Sequence, residues 1–318
     1  TTLYNYPGLL NGSNKGIVIE RNTHNEKCST FSGKDPEMSN FSWDDNEAQG
    51  SPSLSSSHRD CAHVCFTNPS MGSGFLALGG IDEGETFLMS YPEALAAVAV
   101  CRDTLPHESV TIAGARKFCI TDQRVLQRNL MTTTGSNRED TSDDSNDFCA
   151  GIRAVVPSDQ AKTRVRMTPS VPPQLFCCTS NLMIALDAMP INRPDGKRNK
   201  HNFSRDLTKA YTGFSSPLVQ ELGKRTVVTG NWGCDTKMGG SQQDAIMTQW
   251  AAASYAGVGI TYDGGGPSTA LFREKLFPVL SGVTVKEALQ SVYQEQYKER
   301  YKAHTAKGTP PKTHMVNE

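Results

Sequence analysis

Apolar residues in this chain recur in two patterns that alternate along its length. Short runs near 64–67, 109–113, 226–229 and 257–262 have the length of β-strands, while segments near 92–102, 204–211, 242–256 and 284–303 carry apolar positions at helical spacing. Alternation of this kind predicts an α/β layered fold, with ligands held in the crevice beyond the strand ends. The last helix places Val285, Ala288, Leu289, Val292 and Tyr293 on one stripe with charges opposite, the pattern of a purely structural element.

Two of these strands run into small-residue loops. The run Thr226-Val227-Val228 leads into Thr229-Gly230-Asn231-Trp232-Gly233-Cys234, then the pair Gly239-Gly240, then a helical pattern. Glycines let the backbone approach a ligand closely, and the N–H groups at a helix start favour phosphate or pyrophosphate there. Trp232 is an aromatic able to brace the loop from inside. The second such place is Val64 to Gly74, where a short strand ends at Asn68 and enters Gly72-Ser73-Gly74. Acids follow at Asp82, Glu83 and Glu85, just before the helical positions Phe87, Leu88 and Met89. Acids in a first helical turn complement the helix dipole. Two glycine loops around one acidic turn also make the beginnings of a site.

The order of these blocks resembles the poly(ADP-ribose) glycohydrolase family, which has a macrodomain fold. The matching residues are Gly72-Ser73-Gly74 with Asp82-Glu83-Gly84-Glu85, then Asp206-Leu207-Thr208-Lys209-Ala210-Tyr211-Thr212-Gly213-Phe214, then Gly230-Asn231-Trp232-Gly233-Cys234 with Gly239-Gly240, Gln249 and Ala251-Ala252-Ala253. The resemblance covers about residues 58 to 300 and implies a macrodomain-like mixed sheet flanked by helices, with an N-terminal extension. The expected division is an arm over 1–57, the macrodomain over 58–306 and a disordered tail over 307–318.

This chain departs from the family pattern at three places. The family's catalytic doublet is two adjacent glutamates, and here Gly84 stands between Glu83 and Glu85, as a one-residue insertion would leave it. Asp235 stands where a glycine is usual, and is either a loop cap turned to solvent or a specificity determinant facing a cationic substrate group. Met238 replaces the aromatic before the glycine pair. By resemblance the chemistry is hydrolysis at the anomeric carbon of a ribose: a carboxyl group protonates the leaving atom and activates water as the sugar gains oxocarbenium character. Position favours Glu85 for that task, with Glu83 holding the ribose hydroxyls; the reverse assignment stays open. Asn68 would bond the ribose, and Gly72, Ser73 and Gly74 would lie along the diphosphate. Gly230, Asn231, Trp232, Gly233, Cys234, Asp235 and Met238 would close from the other side, and Tyr262 would stack on adenine. The partner implied is ADP-ribose, an ADP-ribosylated protein or poly(ADP-ribose), and the competing reading is a module that binds ADP-ribose without cleaving it.

Composition narrows the remaining options. With 32 basic against 33 acidic side chains and a net charge of -1, no field favours DNA, and the cluster Lys197, Arg198, Lys200, His201 reads as a solvated loop. No apolar run is long enough to span a bilayer and no internal repeat is visible. The nine cysteines lack paired metal spacing; Cys61 and Cys65 with His58 and His63 come nearest, and read as buried thiols on a strand. No cofactor or metal is expected. No histidine sits in a motif able to activate Cys234. An odd cysteine count points to a reducing compartment, cytosol or nucleus, or a host cytosol reached by secretion. The start at Thr1 is that of a trimmed chain, from which a targeting segment could have been removed. Gln49 to Ser57 reads as a linker and Thr132 to Asp147 as a mobile acidic loop, and the whole is expected to act as a monomer.

Overall fold

The computed structural model describes residues 2–5, 17–24, 35–44, 61–73, 83–115, 119–121, 152–154, 182–191, 200–234 and 238–292. Gly74, Asp235, the linker at 49–57, the loop at 132–147, Lys197 and Arg198, and the tail at 307–318 lie outside them.

The architecture is a mixed sheet with helices on both faces. Its strands are β1 (Thr2–Asn5), β2 (Val18–Thr23), β3 (Phe41–Trp43), β4 (Ala62–Phe66), β5 (Glu108–Ala113), β8 (Leu182–Leu186), β9 (Thr226–Thr229) and β10 (Gly259–Tyr262), in the order β1-β2-β5-β8-β4-β9-β10-β3; β6 (Cys119–Thr121) and β7 (Ile152–Ala154) form a separate antiparallel pair. From β8 through β4, β9 and β10 to β3 the strands are parallel, and β5, β2 and β1 add antiparallel pairing. This is the mixed, helix-flanked sheet expected of a macrodomain. The first 57 residues, expected to wrap the domain as an arm, contribute β1 and β2 to one edge and β3 to the other.

Helices follow from local signals. The first is α1 (Glu83–Ser90), with acids at its start; α2 (Leu95–Val100) follows a 3-10 turn at Pro92–Ala94. Next come α3 (Lys200–Phe214), α4 (Pro217–Glu221) and α5 (Gln242–Ala256). Helix α5 is capped at both ends: the Ser241 hydroxyl accepts from Asp244 N, and Gly257 stops the helix at φ 71 in the left-handed region. After β10, α6 (Pro267–Leu271) runs through a π-helical turn at Phe272–Leu276 into α7 (Phe277–Leu280), and 285–292 is helical with Val285, Ala288 and Val292 buried.

Two cores sandwich the sheet. On one face Leu182, Ile184 and Leu186 of β8 join Leu207, Phe214, Trp232 and Trp250 from the α3/α5 side. On the other, Met183 and Ala185 meet Leu88, Ala97, Val110 and Ile112 under α1 and α2. A strand covered on both faces must be apolar throughout, which is why Leu-Met-Ile-Ala-Leu shows no alternation. Among the described residues no helix is long and apolar enough to cross a membrane.

Candidate functional site

Parallel pairing brings the carboxyl ends of β4, β8, β9 and β10 to one edge of the sheet, so the chain after Phe66, Leu186, Thr229 and Tyr262 emerges on one side. Both glycine loops lie there, in the crevice where an open α/β sheet binds its ligand.

The first loop leaves β4 through Thr67, whose N–H donates to Leu186 O at 2.9 Å, and passes Asn68, which is half-buried. Pro69 O then accepts Thr104 N–H at 2.9 Å, and the turn closes with Ser73 N–H donating to Ser70 O at 3.1 Å. Gly72 lies in the left-handed region at φ 75, packed against Val98 and Leu88. The first turn of α1 sits directly on the end of β4. A Cβ on Gly84 would lie 3.1 Å from Phe66 O and 3.2 Å from Thr67 Cα, so a side chain there would press helix and strand apart by a few tenths of an ångström. Gly84 is therefore a packing glycine where the helix meets the strand end. It separates its neighbours: positions two apart on a helix point about 200° from each other. Glu85 is 1% exposed and Glu83 is half-buried, so the two carboxylates do not share one environment.

The second loop is tied down from behind. Gln249, fully buried on α5, donates through Nε2 to Gly230 O at 2.9 Å and to Ala245 O at 3.0 Å, and its Oε1 accepts from the Thr229 hydroxyl. A Cβ on Gly230 would collide with Asp263 O and lie 3.9 Å from the Phe66 ring, so this glycine fits between β10's end and the end of β4 and brings the second loop alongside the first. Trp232 has no exposed surface and belongs to the core. Cys234 N–H donates to Asn231 O at 3.1 Å, and its thiol donates to Trp232 O at 3.6 Å. Met238 packs at the core margin, and its carbonyl accepts Ile191 N–H at 2.7 Å.

Tyr262 departs from expectation. Its ring is 1% exposed and lies against Phe41 and Trp43, and its hydroxyl donates to Asn231 Oδ1 at 2.9 Å. A buried ring offers no open face to an adenine; its place is to brace Asn231. The Asn231 amide also donates to Gly265 O at 3.2 Å, which accepts from Gln242 Nε2 at 2.8 Å.

Between the two loops lies a buried ionic cluster that motif reading did not assemble. Asp187, immediately after β8, accepts from Lys209 Nζ, from the Arg205 guanidinium and from the Thr104 hydroxyl at 2.7 Å. Arg205 also bonds Asp206 Oδ1 and Asp187 O, each at 2.7 Å, and Asp206 accepts Met189 N–H at 3.3 Å. Two carboxylates face two cations, so the group is balanced in charge, as buried ions must be. Lys209 is fully buried, and its three N–H groups meet three acceptors: Asp187, Thr104 Oγ1 at 3.1 Å and Leu105 O at 3.0 Å. Burial lowers its pKa to about 8 against the opposing pull of Asp187, and the Arg205 charge adds to the fall. The Asp206 to Phe214 block contains two of these four residues, Asp206 and Lys209, and Arg205 directly precedes it; an acid directly after an apolar run is the signal that could have found Asp187.

A second ion group supports the same region. Glu108 accepts from Arg21 and from Leu105 N–H at 2.8 Å, and Arg102 lies at 3.5 Å. Burial works to raise the Glu108 pKa, but Arg21, the Leu105 amide and Arg102 together bring it below the ordinary carboxylate value.

Among the described residues no group of three or more His, Cys, Asp or Glu is placed to hold a metal ion. Cys65 and His63 are buried on β4 and Cys61 is half-buried at its start.

Sheet order and the flanking helices are those of a macrodomain. The family model described as poly(ADP-ribose) glycohydrolase (PARG), macro domain fold, matches residues 35–266, and the chain belongs to that family. The match begins at residue 35, inside the segment expected to be an arm, and takes in β3.

Proposed function

We propose that this chain is an ADP-ribose-processing glycohydrolase that cleaves the bond at the anomeric ribose carbon of poly(ADP-ribose) or of a mono-ADP-ribosylated side chain. The observation that supports the reading is the contact of α1's first turn, with its acids Glu83 and Glu85, against Phe66 and Thr67 at the end of β4, where the first glycine loop begins. The diphosphate would lie along the backbone of Gly72 and Ser73 on one side and of Gly230 to Cys234 on the other.

Helical geometry allows one of the two glutamates to face a given ribose. We assign acid–base duty to Glu83, the more accessible of the pair, and a supporting place to Glu85, whose carboxylate lies in the packed layer beneath. This reverses the preference that position in the sequence suggested. As the glycosidic bond opens, the Glu83 carboxyl gives its proton to the leaving oxygen or nitrogen; as carboxylate it then takes one from the water that adds to the ribose.

The experiment is release of ADP-ribose from poly(ADP-ribose) and from mono-ADP-ribosyl protein by wild type, Glu83→Gln and Glu85→Gln, with calorimetric ADP-ribose binding alongside. Loss of release in Glu83→Gln with binding retained is the expected result. Loss in Glu85→Gln alone would move the role to Glu85. A second reading, binding without cleavage, is favoured by the burial of Glu85 together with the side-chain-free Gly84 at the strand end; ADP-ribose binding by wild type with no release from either substrate would establish it.

A further inference from the structure

The buried ionic cluster touches both loops, and each contact runs through a short chain of hydrogen bonds. Towards the first loop, Lys209 donates to the Thr104 hydroxyl, which has one proton of its own and a close acceptor in Asp187 at 2.7 Å. Thr104 thus sits between cation and carboxylate, and both its backbone N–H and its hydroxyl reach Pro69 O, at 2.9 and 3.3 Å. Lys209 also holds Leu105 O, and Arg21 donates to the carbonyls of Arg102 and Asp103 at 2.8 and 2.7 Å, so the 101–108 connection is fixed on both sides of Thr104. Towards the second loop, Arg205 and Asp206 hold Asp187 O and Met189 N–H, and two residues further Ile191 N–H donates to Met238 O.

We propose that Asp187, Arg205, Asp206 and Lys209 form a positioning hub that sets the first glycine loop through Thr104 and the second through the 187–191 segment. These are positioning residues, since each acts through a loop. The assignment of a ligand to the loops rests on the glycohydrolase reading above; the mechanical claim about the loops does not.

The four ionic residues are poor first targets, because removing one leaves a buried charge uncompensated. Thr104→Val keeps shape and all four charges and removes the hydroxyl alone; Thr104→Ser restores it. The measurements are melting temperature, hydrogen exchange across residues 67–73, and ADP-ribose affinity. In Thr104→Val, exchange at Ser73 and of Thr104's own amide should quicken and affinity weaken by about two- to tenfold, the range one hydrogen bond commands. The Thr67 amide, held by Leu186 O within the sheet, should stay unchanged, and Thr104→Ser should behave as wild type. Unchanged exchange in Thr104→Val overturns the hub, whereas faster exchange with unaltered affinity supports its hold on the loop and overturns the loop's part in binding ADP-ribose. Faster exchange in a protein whose wild type binds no ADP-ribose supports the hub's hold on the loop and overturns the ligand reading instead.

Discussion

Replacing Gly84 by alanine tests whether this glycine is where it is because α1 must touch β4. In a helix the substitution by itself is favourable, by up to about 1 kcal/mol, since glycine has more chain entropy to lose. Against that stands the contact. The added Cβ would lie 3.1 Å from Phe66 O, 3.2 Å from Thr67 Cα and 3.3 Å from Thr67 Cγ2, each inside comfortable separation. The strand end has little room to retreat, because Phe66 is paired with Leu186 and Thr67 N–H is bonded to Leu186 O at 2.9 Å. Helix α1 must therefore move by a few tenths of an ångström, with Leu88, which has no exposed surface, resisting from the other core. Overpacking of this kind costs about 1–3 kcal/mol, so the expected net is a loss of about 1 kcal/mol, or roughly 2 °C in melting temperature for a chain of this size. The same shift carries Glu83 with it, and since about 1 Å of misplacement costs about a hundredfold in rate, release of ADP-ribose should fall by about three- to tenfold. Scanning fluorimetry reads the first quantity and single-turnover release the second. An alanine variant as stable as wild type or more so, with turnover intact, would refute the close-approach argument and leave Gly84 as the insertion its sequence position suggested.

Tyr262→Phe deletes the hydroxyl that holds Asn231 at 2.9 Å; it should lower unfolding free energy by about 1 kcal/mol in urea titration and weaken ADP-ribose binding. Glu108→Gln removes a carboxylate whose folded pKa is depressed by Arg21 and its neighbours. Its contribution is present above the unfolded value near about 4.3 and is lost as pH falls through the folded one, so the variant should cost about 2 kcal/mol at pH 7 and converge with wild type in acid melts. Lys209 shifts stability with pH in the same direction, in a more alkaline window. Its folded pKa of about 8 lies below the unfolded value near about 10.4, so between the two only the unfolded chain keeps the proton and stability from this group rises with pH, by at most about 1.4 kcal/mol per unit. The difference in unfolding free energy between wild type and Lys209→Met should therefore widen from pH 8 to 10; a flat or narrowing difference would mean that Asp187 outweighs burial.

Local pattern carried much of this fold. Strands β4, β5, β9 and β10 and helices α3 and α5 fall where short apolar runs and helical spacing placed them. Strand β8, buried on both faces like β5, is also a short apolar run, but no glycine loop or motif residue follows it to mark it as part of the site. Strands β2 and β3 lie in a polar-looking start whose pairing is with β5 and β10, far along the chain. The glycine loops were legible because backbone approach demands a particular residue at a particular place. The hub was not. Lys209 meets Leu105 across 104 positions and Thr104 meets Asp187 across 83, and no window of sequence contains both partners. Tyr262 was legible as a strand-end aromatic, but such a ring can turn towards a ligand or towards the core, and its neighbours Phe41, Trp43 and Asn231 come from distant parts of the chain.

The two loops are held by different means, and this bears on where the protein can tolerate change. The second is fastened by buried side-chain amides and a phenol: Gln249 on Gly230 O and Tyr262 on Asn231, with Gly230 seated against Asp263 O. These contacts are also contacts of the α5 core, so a substitution that frees this loop must damage the fold, and melting temperature and affinity should fall together. The first loop is fastened mainly by backbone bonds, Thr67 N–H to Leu186 O and Thr104 N–H to Pro69 O, with the Thr104 hydroxyl 3.3 Å from the same carbonyl and Val98 packed on Gly72. Of these the Thr104 bond depends on a half-buried side chain outside the apolar cores, so it can be weakened while the cores stay intact. Affinity and stability can therefore separate at the first loop and not at the second. Since α1 with Glu83 packs on the same strand end, the separable loop is also the one nearest the proposed chemistry, where adjustment without unfolding is of most use.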